Sequence, residues 1–293
     1  MNIQWFPGHM AKARRLVAEN LKFVDVVIEI LDARIPLSSK NPDIDKILKS
    51  KPRIVVFNKA DLADDKLSQQ WGHWYSSRGF PNVFIDSIRG KGIEELKSKL
   101  LEISRDKIER EMQKGKIYRP VRTMVVGIPN VGKSSLINKI AGKSITLTGD
   151  KPGVTRQKQW IRLVKGIELL DMPGILWPKF DDPEVALNLA FTGAIKDEIL
   201  DMVEIASKLM EKLYRSYPAS LKSRYKMNIG EGGEEINEED QLGYQLLEIA
   251  GRNRGCLVSG GIVDLNRIAS IVLDEFRGGK IGRITLESPH EDE

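Results

Sequence analysis

Two turn sequences, each placed directly after an apolar run rich in β-branched residues, fix most of what this chain can fold into. Asn58-Lys59-Ala60-Asp61 closes the run 53–57, and Gly127-Ile-Pro-Asn-Val-Gly132-Lys133-Ser134 closes the run 123–126. Further runs of this kind occupy 24–31, 83–85, 161–164 and 168–170, with helical patterns near 41–50, 64–78, 92–113 and 133–141 between them. Strands that are apolar throughout and alternate with helices predict an α/β fold, a mainly parallel sheet with helices on both faces. Ligands in such sheets bind at the carboxyl ends of the strands, which is where these turns fall.

The second turn has the spacing GxxxxGK[ST]. Its glycines let successive backbone N–H groups wrap a phosphate chain, here those of Asn130, Val131, Gly132 and Lys133. The Lys133 ammonium would neutralise β/γ-phosphate charge, the Ser134 hydroxyl would ligate Mg²⁺, and Ser135 completes the first helical turn beside them. The spacing alone does not separate adenine from guanine. Asp61 does, because a carboxylate accepts from guanine N1–H and N2–H₂, a donor pair that adenine lacks. Asn58 would brace the loop and Lys59 would cover the base. Asp86-Ser87-Ile88 follows the next strand, where the backbone of Ser87 and Ile88 would meet guanine O6.

Pro152-Gly-Val-Thr155 and Asp171-Met-Pro-Gly174 come after the phosphate loop. Asp171 is placed to hold Mg²⁺ directly or through water, the Gly174 amide to meet a γ-phosphate, and Thr155 to ligate the metal only in the triphosphate state. Contacts that depend on the γ-phosphate make both loops switches, released on hydrolysis. Ile175 occupies the position where many nucleotide switches place a water-orienting Gln. Slow unaided hydrolysis follows, about 10⁻⁴ to 10⁻² s⁻¹.

These parts, in this order, resemble a circularly permuted P-loop GTPase, with the guanine motif ahead of the phosphate loop instead of behind it. The segment 114–120 would then join the former last helix to the former first strand. With Trp5-Phe-Pro-Gly-His-Met10 and Asp32-Ala-Arg-Ile-Pro36, the chain resembles the ribosome biogenesis GTPase A family of bacterial permuted GTPases over essentially its whole length. The resemblance implies GTP and GDP as ligands, a role in late maturation of the large ribosomal subunit, and stimulation of hydrolysis by the ribosomal particle. It implies that the C-terminal helical domain contacts rRNA. It also implies that His9 stands in for the missing glutamine, and that Asn130 matches the position that ligates K⁺ in potassium-dependent relatives.

Composition bounds the rest. Residues 1–175 hold 32 basic and 19 acidic residues, whereas from 176 onward 14 basic residues face 22 acidic ones. Excess positive charge on the nucleotide half suits a polyanionic partner as well as a merely soluble basic surface. Basic clusters lie at Lys12, Arg14, Arg15 and Lys22, over 105–122, and at Lys222, Arg224, Lys226, Arg252 and Arg254. The expected organisation is a GTPase domain over 1–175 with a basic N-terminal arm, then a small all-α domain over 176–293. Helical patterns there lie at 185–194, 198–214, 241–252 and 265–276. One cysteine, Cys256, excludes an intrachain disulfide. No apolar run of membrane-spanning length occurs, so a cytoplasmic protein without membrane contact is expected; a monomer is expected as well. A GTPase switch acting on another RNA, or on a protein effector alone, stays open at this level.

Overall fold

The computed structural model describes residues 15–113, 120–142, 160–164, 166–170, 182–229 and 241–289. The chain divides into two compact units, Met1–Phe180 with Glu287–Glu293, and Asp181–Leu286. The last segment, expected in the helical domain, belongs with the sheet.

In the first unit, β1 (Val26–Asp32), β2 (Arg53–Asn58), β3 (Asn82–Phe84), β4 (Val121–Val126), β5 (Trp160–Val164) and β6 (Ile167–Leu170) form one sheet in the order β3-β2-β1-β4-β6-β5. All pairings are parallel except that of β5 with β6. The chain moves outward from β1 through β2 to β3, then crosses back to lay β4 on the other side of β1. Strand order therefore reverses between β1 and β4, and the crevice beyond their carboxyl ends is where such sheets bind ligands. All seven residues of β1 are buried, as a strand covered on both faces requires.

The helices α1 (Pro42–Leu48), α2 (Asp65–Ser77), α3 (Ile93–Gln113) and α4 (Lys133–Ala141) alternate with the strands. Asn41 caps α1 through the Asp43 amide, with Pro42 opening the helix, and Asp64 caps α2 through the amides of Lys66 and Leu67. On one face of the sheet α1 packs Ile44 and Leu48 against Val27, Met124 and Val126. On the same face α2 packs Trp71 and Tyr75 against Leu31, Val55 and Phe57. Glu29 lies between these two clusters and is 1% exposed. Its carboxylate pairs with Arg53 (2.9 Å), which also holds Asp45 (2.6 Å) and stacks its guanidinium over Phe80. Burial pushes the Glu29 carboxyl up, and Arg53 and Lys40 only partly offset it.

The second unit comprises α5 (Pro183–Phe191), α6 (Met202–Ser216), α7 (Pro218–Tyr225), α8 (Leu242–Asn253) and α9 (Leu265–Arg277). Asp182, Asp201 and Asp264 each accept an amide of the first turn they precede. α6 packs on both α8 and α9. Gly243 allows the approach of α8, since a Cβ there would collide with the backbone of Ser207. Arg277 caps the end of α5, donating to the carbonyls of Ala190 and Phe191 while pairing with Asp197 (2.7 Å). The eight-residue helix α7 was not anticipated. Its two anchors, Leu221 and Tyr225, are one apolar pair at i, i+4, too little periodicity to register in sequence.

Candidate functional site

The guanine-type motif, the phosphate loop and the loop after β3 meet around one side chain. Asn58 ends β2, is 1% exposed, and donates from Nδ2 to the Val131 carbonyl (2.8 Å) while its Oδ1 accepts the Ser87 amide (3.1 Å). One buried amide thus fixes three loops that the chain order keeps far apart. Gly132 makes the approach possible. It holds φ 101°, and a Cβ there would run into Asn58 Nδ2. Gly127 is required from the other side, because a Cβ would meet the Ile30 carbonyl oxygen of β1 at 2.6 Å.

Between these glycines the loop turns at Asn130 (φ 57°) and enters α4 at Gly132. Lys133 Nζ reaches back to the carbonyls of Ile128 (2.6 Å) and Gly127 (3.3 Å), so its charge stands inside the loop's curve. Ser134 and Ser135 are exposed on the first turn of α4. The arrangement gathers amides at a helix N-terminus, an ammonium and an exposed hydroxyl, which can cradle a phosphate chain.

At the guanine motif, Lys59 occupies the left-handed region (φ 60°), which turns its side chain back over β1. Its Nζ donates to Asp32 Oδ2 (2.9 Å), and Arg34 donates to both carboxylate oxygens of Asp32, from Nε (2.9 Å) and Nη2 (2.8 Å). Burial pushes the Asp32 carboxyl up, but the Arg34 and Lys59 charges with their hydrogen bonds overcome it and hold it well below the usual carboxylate range. Ser39 Oγ accepts the Asp32 amide (3.0 Å) and donates to the Ile35 carbonyl (2.7 Å), closing the loop that follows β1. Sequence reading noticed Asp32-Ala-Arg-Ile-Pro36 without giving it work. Its position is a usable signal, since Asp32 ends β1 beside Asn58, which ends β2.

Asp61 is partly exposed and lies 3.3 Å from Arg89, a side chain 74% exposed. Asp86 makes a tight turn, accepting the amides of Ile88 (2.9 Å) and Arg89 (2.9 Å). In this third loop the Ser87 amide bonds to Asn58 and the Ile88 amide to Asp86, and Ile88 is 81% exposed. Lys139 of α4 donates to the Ile88 carbonyl (3.0 Å) and ties this loop to the phosphate side. His9, Thr155, Asp171, Gly174 and Ile175 lie outside the described residues.

A model of the 50S ribosome-binding GTPase family matches residues 122–228, from the start of β4 onward. Ribosome biogenesis GTPase A of Bacillus cereus is 50% identical over 291 residues, covering 99% of this chain and 95% of that protein. The chain belongs to the ribosome biogenesis GTPase A family. As a member it is a GTP-hydrolysing enzyme with a circularly permuted P-loop domain. Among solved structures, a GNP-bound YlqF from Thermotoga maritima is 26% identical with a TM-score of 0.66, covering 95% of this chain and 99% of that one. A GDP-bound YlqF aligns with a TM-score of 0.67 over 94% of this chain. Family membership accounts for the crevice between β1 and β4, where the loops tied by Asn58 sit beside the amides of the phosphate loop.

Proposed function

We propose that this chain is a GTP-driven switch in late assembly of the large ribosomal subunit, acting as a monomer on precursor particles and their rRNA. The observation that carries the nucleotide part is Asn58, whose amide binds guanine motif, phosphate loop and β3 loop into one crevice. Relatives named for ribosome biogenesis carry the assembly part.

Within that reading, the amides of Asn130, Val131, Gly132, Lys133 and Ser135 surround the phosphates and the Lys133 ammonium faces the β/γ bridge. Asp61 reads the guanine edge, and Lys59, steered by Asp32, covers its face. The exposed Ser134 hydroxyl at the opening of α4 suits a hard cation that prefers oxygen ligands. Mg²⁺ would be held by Ser134 with Thr155 and Asp171, and when bound supplies positive charge between the phosphates. Asn130, in its left-handed turn, is the residue that would ligate K⁺. The Gly174 amide senses the γ-phosphate. Ile175 offers neither proton nor hydrogen bond to water, so His9 orients the nucleophile when the particle is bound, and turnover without the particle is slow.

The test is cosedimentation of the full chain with large-subunit precursors in a non-hydrolysable GTP analogue or in GDP, with GTP turnover measured alongside. Retention in the analogue, release in GDP and particle-stimulated turnover are expected. Equal retention in both states, or turnover above about 1 s⁻¹ without particles against the slow range of unaided GTPases, rejects the switch. RNA-independent capture of one protein moves the function away from ribosome assembly.

A further inference from the structure

Arg89 belongs to no nucleotide motif, yet its side chain joins two of the loops that form the crevice. Its Nη1 lies 3.3 Å from Asp61 Oδ2 of the guanine motif and 3.6 Å from Asp86 Oδ2 of the loop after β3. One guanidinium therefore stands between two carboxylates. The backbone beneath it is fixed on every side. The Arg89 amide donates to Asp86 Oδ1 (2.9 Å), the Gly90 amide to the Asp86 carbonyl (2.7 Å), and Lys139 holds the Ile88 carbonyl (3.0 Å).

The plainer account is an exposed ion pair that contributes nothing, the usual fate of such pairs. Two features set this one apart. Three charges share it, and it springs from a backbone already tied, so less chain freedom is lost in forming it. Its acceptor is also largely buried, the Asp61 side chain being 26% exposed. Among the described residues no other donor reaches that carboxylate, whereas Asp86 Oδ1 already accepts two amides.

A carboxylate offers about four lone-pair sites on its two oxygens. Guanine N1–H and N2–H₂ take one on each oxygen, which leaves a site on Oδ2 for Arg89. Hypoxanthine keeps N1–H and the 6-oxo group but carries only C–H at position 2, so it leaves one oxygen without a base donor. Sites that read a polar edge reject such an analogue because their own buried group then goes unpaired. Arg89 lowers that penalty, since its charge stays beside the carboxylate whichever purine is bound.

We propose that Arg89 is a positioning residue that sets base specificity: as the standing counter-ion of Asp61 it widens the accepted ligand from guanine to hypoxanthine, so that inosine nucleotides are bound as well. The assignment rests on the reading of Asp61 as the acceptor for the guanine edge.

The experiment titrates the full-length protein with labelled GDP and IDP, comparing wild type, Arg89→Met, Arg89→Lys and Asp61→Ala. In Arg89→Met the ratio of IDP to GDP dissociation constants should rise about three- to tenfold, the cost of one unpaired acceptor, with GDP affinity held within about twofold. The melting temperature should not change. Arg89→Lys keeps a cation beside Asp61 and should hold the ratio within about twofold of wild type. In Asp61→Ala GDP affinity should fall at least about tenfold and the ratio should move towards one. An unchanged ratio in Arg89→Met, whether both affinities hold or both fall together, overturns the proposal, and so does a ratio that falls. A rise in Arg89→Lys as large as in Arg89→Met overturns the ionic account on which it stands. Asp61→Ala with wild-type GDP affinity and ratio rejects the reading of Asp61 and this proposal with it, whereas a failure confined to the Arg89 variants leaves that reading standing.

Discussion

Lys59 Nζ lies 2.9 Å from Asp32 Oδ2, so the lysine of the guanine motif is steered by a carboxylate at the end of the neighbouring strand. Asp32 is itself held bidentately by Arg34, and all three groups sit at the crevice where strand order reverses. Lys59→Met and Asp32→Asn should each weaken GDP binding by about tenfold, the loss of one charge-assisted hydrogen bond's worth of alignment. The double variant should bind within twofold of Lys59→Met alone. Titration of the four proteins with labelled GDP closes the cycle. Losses that multiply would show Asp32 acting through the loop instead of through Lys59.

The same carboxylate sets a pH dependence with a definite sign. Its folded-state pKa lies well below the ordinary 3.8, so the native state binds fewer protons than the unfolded chain. The stabilisation is complete above that value and is lost as pH falls through and below it. Asp32→Asn, which takes the carboxylate from buried Arg34 and half-buried Lys59, should cost about 3 kcal/mol at pH 7. Denaturant melts should show that gap narrowing as pH drops below about 4. A gap constant with pH would mean that Asp32 is not the ionised partner of Arg34 and Lys59.

Asn58 and Gly132 should be inseparable in their effects. Asn58→Ala leaves the Val131 carbonyl and the Ser87 amide without partners, at about 1–3 kcal/mol for each buried group. Gly132→Ala adds a collision with Asn58 to the strain of φ 101°. Both should reduce GDP affinity at least tenfold. Gly142→Ala is the control, being left-handed at φ 65° with no atom of the described residues within 4 Å of a Cβ there, and should cost only about 1 kcal/mol of stability. Equal binding by the Gly132 and Gly142 variants would remove Asn58 from its central place.

The sheet and the nucleotide motifs were legible because their signals are local. Six β-branched runs became six strands, and each turn sequence stands at a strand's end. What escaped depends on separation in sequence. Asp32 gains meaning only when β2 lies beside β1, and Glu287 only when residues 250 positions apart meet. The turn that Asp86 makes by accepting the Ile88 amide, two residues on, is likewise not visible as a strand or helix pattern. The short helix α7 escaped for want of a full apolar stripe, yet it places Arg224 and Lys226 in a basic cleft.

His9 bears the least local support and the sharpest test. With Ile175 unable to orient water, His9→Ala should abolish particle-stimulated hydrolysis while leaving GTP and GDP affinity within twofold of wild type. Single-turnover hydrolysis with and without precursor particles reads both quantities. Unchanged stimulated turnover would place the water-orienting group in the particle.

Glu287 gives the last expectation. Its carboxylate accepts the amides of Leu37 (2.7 Å) and Ser38 (3.0 Å) and the Ser38 hydroxyl, and its carbonyl accepts Trp71 Nε1 (3.1 Å). These bonds clamp the loop that begins at Asp32, next to Ser39, whose hydroxyl accepts the Asp32 amide. The chain thus returns, after its helical unit, to brace the lysine of the guanine motif at one remove. Glu287→Ala frees the amide of exposed Leu37, where water can replace the lost acceptor, and that of buried Ser38, where it cannot do so fully, so the stability cost should be about 1–3 kcal/mol. The effect on nucleotide should be graded. GDP affinity should fall about twofold to fivefold, less than for Asp32→Asn, and the loss should disappear in the Lys59→Met background, as expected of a group that acts through that lysine. Calorimetric GDP titrations of the single and double variants decide it, since a loss that persists without Lys59 would mean that the tail steadies the sheet as a whole.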